Sequence, residues 1–434
     1  MKLKKALKFF NSKDYDLIVS RAKAMQPNAQ NSEWLNVVAA ACLKTDRFVE
    51  AIFYLDVALK KSPLNLAIIN NFSEACIRIA KPELAAEKWK TVVRNKLPEL
   101  YLPSYANFLY KSGRLNEAVE TLRMCSDSNK QPPIYYELMA KILLQTPFLL
   151  SRGKIERWQQ SHTHMFEKSL TVKTMMIIKD YIDGHVSQCV QGLSILTSPE
   201  GVENYKNLNK IDKQFVGAYV KFIANLIKHR TTPTQNINAK LVYCVGESHC
   251  LTYHRQIFNR NEAYFEIFSK LVLGVKIYHL IGPDFNEYKA LVKENIAKLA
   301  GASVILAFGE IDFRENEGLL TSKVADKLLE AEKMALSYLS LVRRYKEEFG
   351  LKPIVLAVPF PLQQRSESHV DYALRLGCIK VFNKTLHSNH KEFSIGFLDS
   401  FSVVESNGAD GCFHLDNRHY SPRILHELSN IIPI

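Results

Sequence analysis

A serine preceded by glycine and glutamate and followed by histidine lies at residues 246–249 of the 434-residue chain. On a tight turn between a strand and a helix, a serine hydroxyl can act as a nucleophile, and its own backbone N–H is free to bind an oxyanion. The segment also fits a simpler role, in which Ser248 caps the helix that follows. Both interpretations of Ser248 stay open on this segment alone.

A second group of ionisable residues falls within ten positions, as Asp410, His414, Asp416 and His419. Asp416 and His419 are three residues apart, a spacing at which a carboxylate can hold one imidazole tautomer while the other ring nitrogen faces a nucleophile. His414 lies four residues after Asp410, so the spacing favours His419 as the base. The alternative is a surface loop with a helix cap.

Four short apolar runs and three long helical patterns alternate in the second half of the chain. The runs are residues 241–245, 304–308, 354–358 and 395–398, and the helical patterns cover residues 286–299, 322–348 and 370–387. This alternation predicts a three-layer α/β domain with a mostly parallel sheet at residues 236–434. Functional residues in such sheets lie just past the carboxyl ends of strands, which is where Ser248 falls.

The first 135 residues carry an internal repeat of 33 to 34 residues. Three sets of equivalent residues share these offsets: Ala51, Ala85 and Ala118; Ala41, Ala75 and Phe108; and Leu55, Trp89 and Leu122. Helices at 34–43, 67–79 and 101–110 are each followed by a break, a second amphipathic helix and a turn, the last of them at 126–133. Small residues at the helix crossing and a break between helices predict stacked helix pairs, an all-α repeat region at residues 1–135.

The stretch at residues 136–235 stays helical in pattern but loses the period, and it ends in a polar linker at 231–239. The sequence therefore predicts three segments: helical repeats at 1–135, a further helical region and linker at 136–235, and the α/β domain at 236–434.

Residues 13–130 resemble the tetratricopeptide repeat family, and residues 240–434 resemble the SGNH (GDSL-type) hydrolase superfamily. The second resemblance implies a flavodoxin-like fold, with Ser248 as the nucleophile in Gly-Glu-Ser-His where the family has Gly-Asp-Ser. It also implies Asp416 and His419 as the acid and base of the terminal D-x-x-H block.

The same resemblance implies an oxyanion site made by the N–H groups of Ser248 and Gly282, with Gly274 as a weaker candidate. The third block of the family reads Gly-x-Asn-Asp, and residues 309–312 read Gly-Glu-Ile-Asp. Ile311 thus replaces an asparagine donor, at a cost of about 3–4 kcal/mol of transition-state stabilisation unless another group substitutes.

Arg314 could supply that missing donor, or it could pair with Glu310, Asp312 or a carboxylate of the substrate. The residues expected to contact the substrate or to support the catalytic groups are His249, Glu310, Asp312, Arg314 and His414.

The composition excludes several classes of protein. With 47% hydrophobic and 23% charged residues the chain is globular, and no apolar stretch reaches the roughly 18 residues of a membrane helix. No pair of the eight cysteines has C-x-x-C spacing, and neither a dinucleotide-binding nor a P-loop motif is present. We therefore expect no cofactor and no metal, although His249 with His254, or the terminal cluster, can be interpreted as ligands.

The net charge of +13 favours anionic partners such as an acidic glycan, a nucleotide-linked sugar or an anionic membrane face. The charge is spread along the chain, so we expect no nucleic acid partner, while peripheral membrane contact stays open. The basic N-terminal segment is interrupted by charges before an apolar core forms, which favours a cytoplasmic protein.

These features together predict a serine-dependent acyl-ester hydrolase or O-acyltransferase that acts on a carbohydrate or glycoconjugate. The helical repeats would dock a protein partner or a polymer, an architecture that resembles those accompanying bacterial surface-polysaccharide assembly. The alternative is a non-catalytic scaffold, with a degenerate SGNH domain, that binds a glycan or a protein. The acyl group, the acceptor, the oligomeric state and the repeat partner are not set by the sequence.

Overall fold

The computed structural model describes residues 2–94, 98–125, 131–149, 169–230, 238–407 and 411–434. The chain divides into two compact units: unit 1, Met1–Leu138 with Asp284–Glu287, and unit 2, Met139–Pro283 with Tyr288–Ile434. In these described ranges no helix is both long and apolar enough to cross a membrane.

Unit 2 begins well before residue 236, where the sequence places the start of the α/β domain, so nearly all of the predicted segment 136–235 belongs to the unit that holds the sheet. Residues 231–237 of the predicted linker and residues 126–130 of the last predicted repeat turn lie outside the described residues.

The described residues of unit 1 form consecutive α-helices, of which the last runs on into unit 2. These are α1 Leu3–Asn11, α2 Tyr15–Lys23, α3 Ser32–Lys44, α4 Phe48–Lys61, α5 Leu66–Arg78, α6 Pro82–Arg94, α7 Leu102–Lys111, α8 Leu115–Arg123 and α9 Pro133–Gln145. Asparagine side chains cap two of them, since Asn31 accepts from Trp34 N at 2.8 Å and Asn65 accepts from Ile68 N at 3.2 Å.

The two helices of each pair pack on each other, α3 on α4, α5 on α6 and α7 on α8, and Ala51, Ala85 and Ala118 of the second helices are fully buried. A residue with positive φ follows the first helix of each pair, and these residues recur 33, 34 and 33 positions apart: Lys13 at 63°, Asp46 at 56°, Ala80 at 57° and Gly113 at 78°. The backbone therefore repeats with the same period as the sequence.

The sheet of unit 2 has six strands in the described residues: β1 Lys240–Gly246, β2 Ile257–Arg260, β3 Ala263–Leu271, β4 Ser303–Ala307, β5 Lys352–Leu356 and β6 Gly396–Leu398. Their order is β2-β3-β1-β4-β5-β6. β2 pairs antiparallel with β3 and all other neighbours are parallel, so the sheet is mixed and mostly parallel.

The four apolar runs of the sequence correspond to β1, β4, β5 and β6, while the hairpin of β2 and β3 was not predicted. Its two-residue turn is made by Asn261 and Glu262, which both have positive φ, at 49° and 63°. Such turns match the twist of paired strands, and the alternating residues of β3 are the pattern that could have revealed it.

Eleven α-helices surround these strands in the described part of unit 2. They are α10 Leu170–Asp183, α11 Val186–Thr197, α12 Pro199–Lys206, α13 Lys210–Lys228, α14 Ile277–Ile281, α15 Glu287–Ala297, α16 Gly318–Thr321, α17 Lys327–Phe349, α18 His369–Asn389, α19 Ser400–Asn407 and α20 Ile424–Leu428. The long helical patterns of the sequence correspond to α15, α17 and α18. Asn209 caps α13 by accepting from Asp212 N at 3.0 Å, which fixes the start of the helix that reaches the site.

Candidate active site

Ser248 lies at the carboxyl end of β1, in a turn fixed by close contact between two strands. Gly246 leaves no room for a side chain, because a Cβ there would approach the Ala307 carbonyl oxygen of β4 to 2.2 Å. The next residue, Glu247, donates its N–H to the same carbonyl at 3.2 Å, and a 3₁₀ helix then covers Ser248–Tyr253. The turn therefore places the serine side chain at the edge of the sheet where parallel strands end.

The cap of this 3₁₀ helix is Glu247, whose carboxylate accepts from His249 N at 3.2 Å. The helix-cap interpretation of Ser248 is therefore wrong. Among the described residues no acceptor is bound to the Ser248 N–H, so this donor is available to an oxyanion.

Ser248, His419 and Asp416 form one hydrogen-bonded chain. Ser248 Oγ lies 2.8 Å from His419 Nε2, as the spacing of the terminal block predicts, and His419 Nδ1 lies 2.9 Å from Asp416 Oδ2. Burial alone would raise the pKa of Asp416, but its hydrogen bonds and charge interaction with His419 hold that pKa well below its usual range. Asp416 is thus a carboxylate that keeps the proton of His419 on Nδ1 and turns Nε2 towards the serine.

Both oxygens of Asp416 face the imidazole, and one of them also binds the backbone. Oδ1 accepts from the N–H groups of Arg418 and His419, both at 2.8 Å, and lies 3.1 Å from His419 Nδ1, whereas Oδ2 lies 2.9 Å from that nitrogen. Two backbone donors therefore fix the orientation of the carboxylate.

His414, the other candidate base, lies elsewhere. Its Nε2 is 2.9 Å from the Phe360 carbonyl oxygen, and its backbone forms a β-bridge with Tyr420. His414 therefore joins the terminal segment to the residues after β5, and His419 is the histidine that meets the nucleophile.

Helix α13 supplies two site residues that the sequence analysis missed. The ring of Phe222 stacks on that of His419 with centroids 3.8 Å apart and planes 20° apart. One turn earlier, Tyr219 lies near Ser248 and Glu247, and desolvation together with the Glu247 charge raises the pKa of its phenol. Aromatic residues at this spacing are also the pattern of an ordinary helix core, so only the packing of α13 on the terminal segment reveals their place.

Glu247 and His249 form a buried pair beside the nucleophile, with side-chain exposures of 1% and 2%. Glu247 Oε2 lies 2.9 Å from Ser248 Oγ, and Glu247 Oε1 lies 3.0 Å from His249 Nδ1. The His249 ring stacks on that of His419 with centroids 4.7 Å apart. His249, expected to contact the substrate, is thus packed against the ring of His419.

The expected oxyanion role of Gly282 is wrong. Its N–H donates to the Tyr278 carbonyl at 3.3 Å and closes the last turn of α14, so it is not available to a substrate. Gly274 follows β3 with φ of 69°, just after Leu271, which pairs with Gly246. The weaker candidate is therefore at the same sheet edge as Ser248.

Of the roles left open for Arg314, the structure shows the pairing with Glu310 and not the replacement of the asparagine donor. Arg314 Nη2 lies 2.6 Å from Glu310 Oε2, and Arg314 Nη1 lies 3.6 Å from Glu317 Oε1. Burial alone would lower the pKa of Arg314, but the Glu310 carboxylate raises it further above its usual range. The arginine and Glu310 neutralise each other near Glu247.

Asp312 holds the start of α14. Its carboxylate accepts from Ile277 N at 2.8 Å and from Tyr278 N at 3.1 Å. Burial raises the pKa of Asp312 to about 7, although both N–H groups oppose that shift. Asp312 thus joins the residues after β4 to those after β3.

Three potential metal ligands, from Glu247, His249 and Glu310, lie within 4.8 Å of one another. Each of them is already bound: His249 uses both ring nitrogens, on Glu247 and on the Arg418 carbonyl, and Glu310 binds Arg314. His254 is bound as well, with Nε2 on the Ile182 carbonyl and Nδ1 accepting from Ser269 N. These groups therefore form a hydrogen-bonded network, and the donor set does not fit a cation.

A shallow open cleft adjoins the terminal segment. It is lined by both apolar and polar residues: Phe313, Val358, Pro359, Pro361, Ile379, Glu310, Arg375, Asn417 and Arg418. Two of its charged residues are paired, since Arg375 binds Glu367 at 2.6 Å and Arg418 binds Glu315 at 2.9 Å. Ser248 and His419 are not among the residues that line this cleft.

Comparison with known proteins found no match for this chain among protein-family models, curated proteins or solved structures. The interpretation of the site therefore depends on its residues and their geometry.

Proposed function

We propose that unit 2 is an SGNH-type serine acyl-ester hydrolase or O-acyltransferase that acts on a carbohydrate or glycoconjugate. The observation that carries this proposal is the continuous chain from Ser248 Oγ through His419 to Asp416, with links of 2.8 and 2.9 Å. A nucleophile, a base and a carboxylate that orients the base are the parts that acyl transfer needs. The strand order supports the proposal, because without β2 it reads as the flavodoxin-like 2-1-3-4-5 order.

In the proposed reaction Ser248 Oγ attacks the ester carbonyl carbon while its proton passes to His419 Nε2. The C–O bond to the leaving alcohol breaks, and the alcohol oxygen takes that proton from His419. Water in a hydrolase, or a sugar hydroxyl in a transferase, then attacks the acyl-enzyme and returns a proton to Ser248 through His419. The Ser248 N–H stabilises the oxyanion in both steps.

The choice of a carbohydrate or glycoconjugate as substrate depends on the charge of the chain and on the combination of a helical repeat region with an α/β unit. The surplus of basic residues over the chain is compatible with an anionic glycan or a nucleotide-linked sugar.

For unit 1 we propose a tetratricopeptide-like array that docks a protein partner or a polymer. The recurrence of left-handed turn residues every 33 to 34 positions supports this assignment. Together the two units resemble proteins that assemble surface polysaccharides, and we propose such a role for a cytoplasmic protein.

A second candidate is a scaffold that binds a glycan or a protein without turnover. The small number of hydrogen-bond donors available to an oxyanion near Ser248 favours it. Gly282 and Arg314 are bound to other groups and Ile311 carries no donor, so fewer oxyanion contacts are present than in the family pattern. The retained Ser248 chain is the observation that favours catalysis.

Turnover of p-nitrophenyl acetate and of an O-acetylated sugar by the wild type and by Ser248→Ala tests the proposal. Ser421→Ala is the matched control, because Ser421 is a buried serine of the terminal segment whose Oγ accepts from the Arg423 N–H at 3.4 Å. Activity that disappears with Ser248→Ala and persists in the control is the expected result. Equal activity of Ser248→Ala and the wild type would refute a serine mechanism, and no activity in any variant would favour the scaffold.

A further inference from the structure

The hydroxyl of Ser248 lies between two groups that can accept its single proton. Glu247 Oε2 is 2.9 Å from Ser248 Oγ, and His419 Nε2 is 2.8 Å from it on another side. If the Ser248 proton points to Glu247, the hydrogen bond between Ser248 and His419 needs a proton on His419 Nε2. His419 already donates from Nδ1 to Asp416, so it would then carry both protons. Such a cation cannot act as a base. Catalysis therefore requires the proton to point to His419.

His249 is a cation by geometry. Both of its ring nitrogens face oxygens that only accept: Nδ1 is 3.0 Å from Glu247 Oε1, and Nε2 is 2.7 Å from the Arg418 carbonyl oxygen. A neutral imidazole would turn one lone pair towards an oxygen, so the ring needs both protons. Burial alone would lower the pKa of His249, but the Glu247 carboxylate outweighs burial and raises that pKa to about 9.

The positive charge of His249 lies next to Glu247, the carboxylate that competes with His419 for the Ser248 proton. Both oxygens of Glu247 lie within 3.2 Å of His249 Nδ1, and Oε2 also accepts the His249 N–H. Hydrogen bonds from a cation use the lone pairs of Glu247 and reduce its strength as an acceptor from Ser248.

We propose that His249 and Glu247 form a positioning pair, in which the His249 cation neutralises Glu247 so that Ser248 donates its proton to His419. This inference rests on the proposed serine mechanism. It makes His249 a positioning residue, because the ring touches Glu247 and His419 and acts on the nucleophile through them.

The other charged and titratable groups near the pair come from several elements. They are Tyr219 of α13, Glu310 after β4, Arg314 after the 3₁₀ turn at 311–313, and His419 of the terminal segment. Arg314 and Glu310 bind each other, so the His249 cation is the partner that contacts Glu247 directly.

The test measures the rate at which a fluorophosphonate probe labels Ser248 at pH 7.5, which needs no knowledge of the natural substrate. The variants are His249→Gln, Glu247→Gln and the double variant, with Ser248→Ala as the blank. His254→Gln is the matched control, because His254 is a buried histidine bound through both nitrogens next to the same 3₁₀ helix.

His249→Gln keeps a donor for Glu247 but loses the charge, so we expect labelling to slow by at least about tenfold, the scale of one charge-assisted hydrogen bond. Adding Glu247→Gln removes the competing carboxylate and should restore labelling to within about threefold of the wild type. Rescue by a second substitution is a result that a merely structural role of His249 does not produce. The wild-type rate should also fall as the pH rises through about 9, where His249 loses its charge, and the double variant should lack that fall.

Glu247→Gln alone covers the case in which His249→Gln does not fold. This variant should still label, because no carboxylate then competes for the Ser248 proton, while ¹⁵N spectra of the histidine rings show that His249 is doubly protonated at pH 7.5 only in the wild type. Loss of labelling in Glu247→Gln would overturn the inference, because Glu247 would then be the group that takes the proton.

The remaining outcomes separate the inference from the proposed function. Unchanged labelling of His249→Gln, or a double variant no faster than that single variant, refutes the positioning pair and leaves the serine mechanism intact. Absence of labelling in the wild type refutes the serine mechanism itself, and the positioning pair with it.

Discussion

Replacing Asp416 by asparagine should disable the base while leaving the fold of the terminal segment intact. Asp416 Oδ1 accepts two backbone N–H groups at 2.8 Å, so an asparagine at this position will keep its oxygen there. Its amide nitrogen then takes the place of Oδ2, which lies 2.9 Å from His419 Nδ1. The amide donates to Nδ1, the ring proton moves to Nε2, and His419 presents an N–H to Ser248 instead of a lone pair.

The size of the rate loss follows from the free energy that His419 needs to return to the tautomer with its proton on Nδ1. That step loses one charge-assisted hydrogen bond, about 1.5–3 kcal/mol, and places two N–H groups against each other, about 1–3 kcal/mol more. The sum is about 3–6 kcal/mol, so acylation should slow by about 10² to 10⁴-fold. The free energy of unfolding should change far less, because both backbone donors keep their acceptor.

Labelling by a fluorophosphonate and turnover of p-nitrophenyl acetate measure the first effect, and urea unfolding measures the second. Asp399→Asn is the matched control, since Asp399 Oδ1 likewise accepts a backbone N–H, that of Ser402, at 3.0 Å. An Asp416→Asn variant that is folded and labels within about tenfold of the wild type would refute the role of Asp416 in orienting the base.

Three further predictions concern the supports of the site. Phe222→Leu should slow labelling of Ser248 by about tenfold, because leucine lacks the ring that stacks on His419. Phe382→Leu, at a similarly buried position, should lower only the urea midpoint. Equal labelling rates of the two variants would contradict the role of Phe222. Folding raises the pKa of His249 from 6.5 to about 9, so its protonated form stabilises the fold at low pH and this contribution is lost as the pH rises to 9.5. Between pH 7 and 9.5 the free energy of unfolding in urea should fall by about 2 kcal/mol more for the wild type than for His249→Gln. The same pH dependence in both proteins would argue against a charged His249. Gly309→Ala should lower the melting temperature more than Gly350→Ala. Both positions have positive φ, but only at Gly309 would a Cβ meet a side chain, at 2.7 Å. Similar shifts in melting temperature would count against close packing at Gly309.

Features that depend on near neighbours could be predicted from the sequence. The apolar runs before Gly246 and Gly309 form β1 and β4, since burial on both faces of a parallel sheet selects continuous apolar residues. The contact of Asp416 with His419 is of the same kind, because a spacing of three residues brings the carboxylate to the ring. The hairpin of β2 and β3 was missed although its alternation and the turn at Asn261 are local signals.

Features that depend on how distant segments pack could not be predicted. The sequence placed Gly282 in an oxyanion site by resemblance, and the last turn of α14 uses its N–H instead. It offered Ser248 as a cap or a nucleophile, and in the tertiary structure Glu247 is the cap and His419, 171 positions away in the chain, contacts the Ser248 hydroxyl. Phe222 reaches the same ring from a helix that the sequence assigned to a separate segment.

The sequence by itself therefore determined the residue types of the site, the strands that present Ser248 and the pairing of Asp416 with His419. Only the tertiary structure decided the distance between Ser248 and His419, the partners of the His249 ring and the contact of Phe222 with His419. The physical reason is that secondary structure and short-range contacts follow from periodicity within a few residues, whereas hydrogen bonds between segments exist only after apolar faces far apart in the chain have packed together.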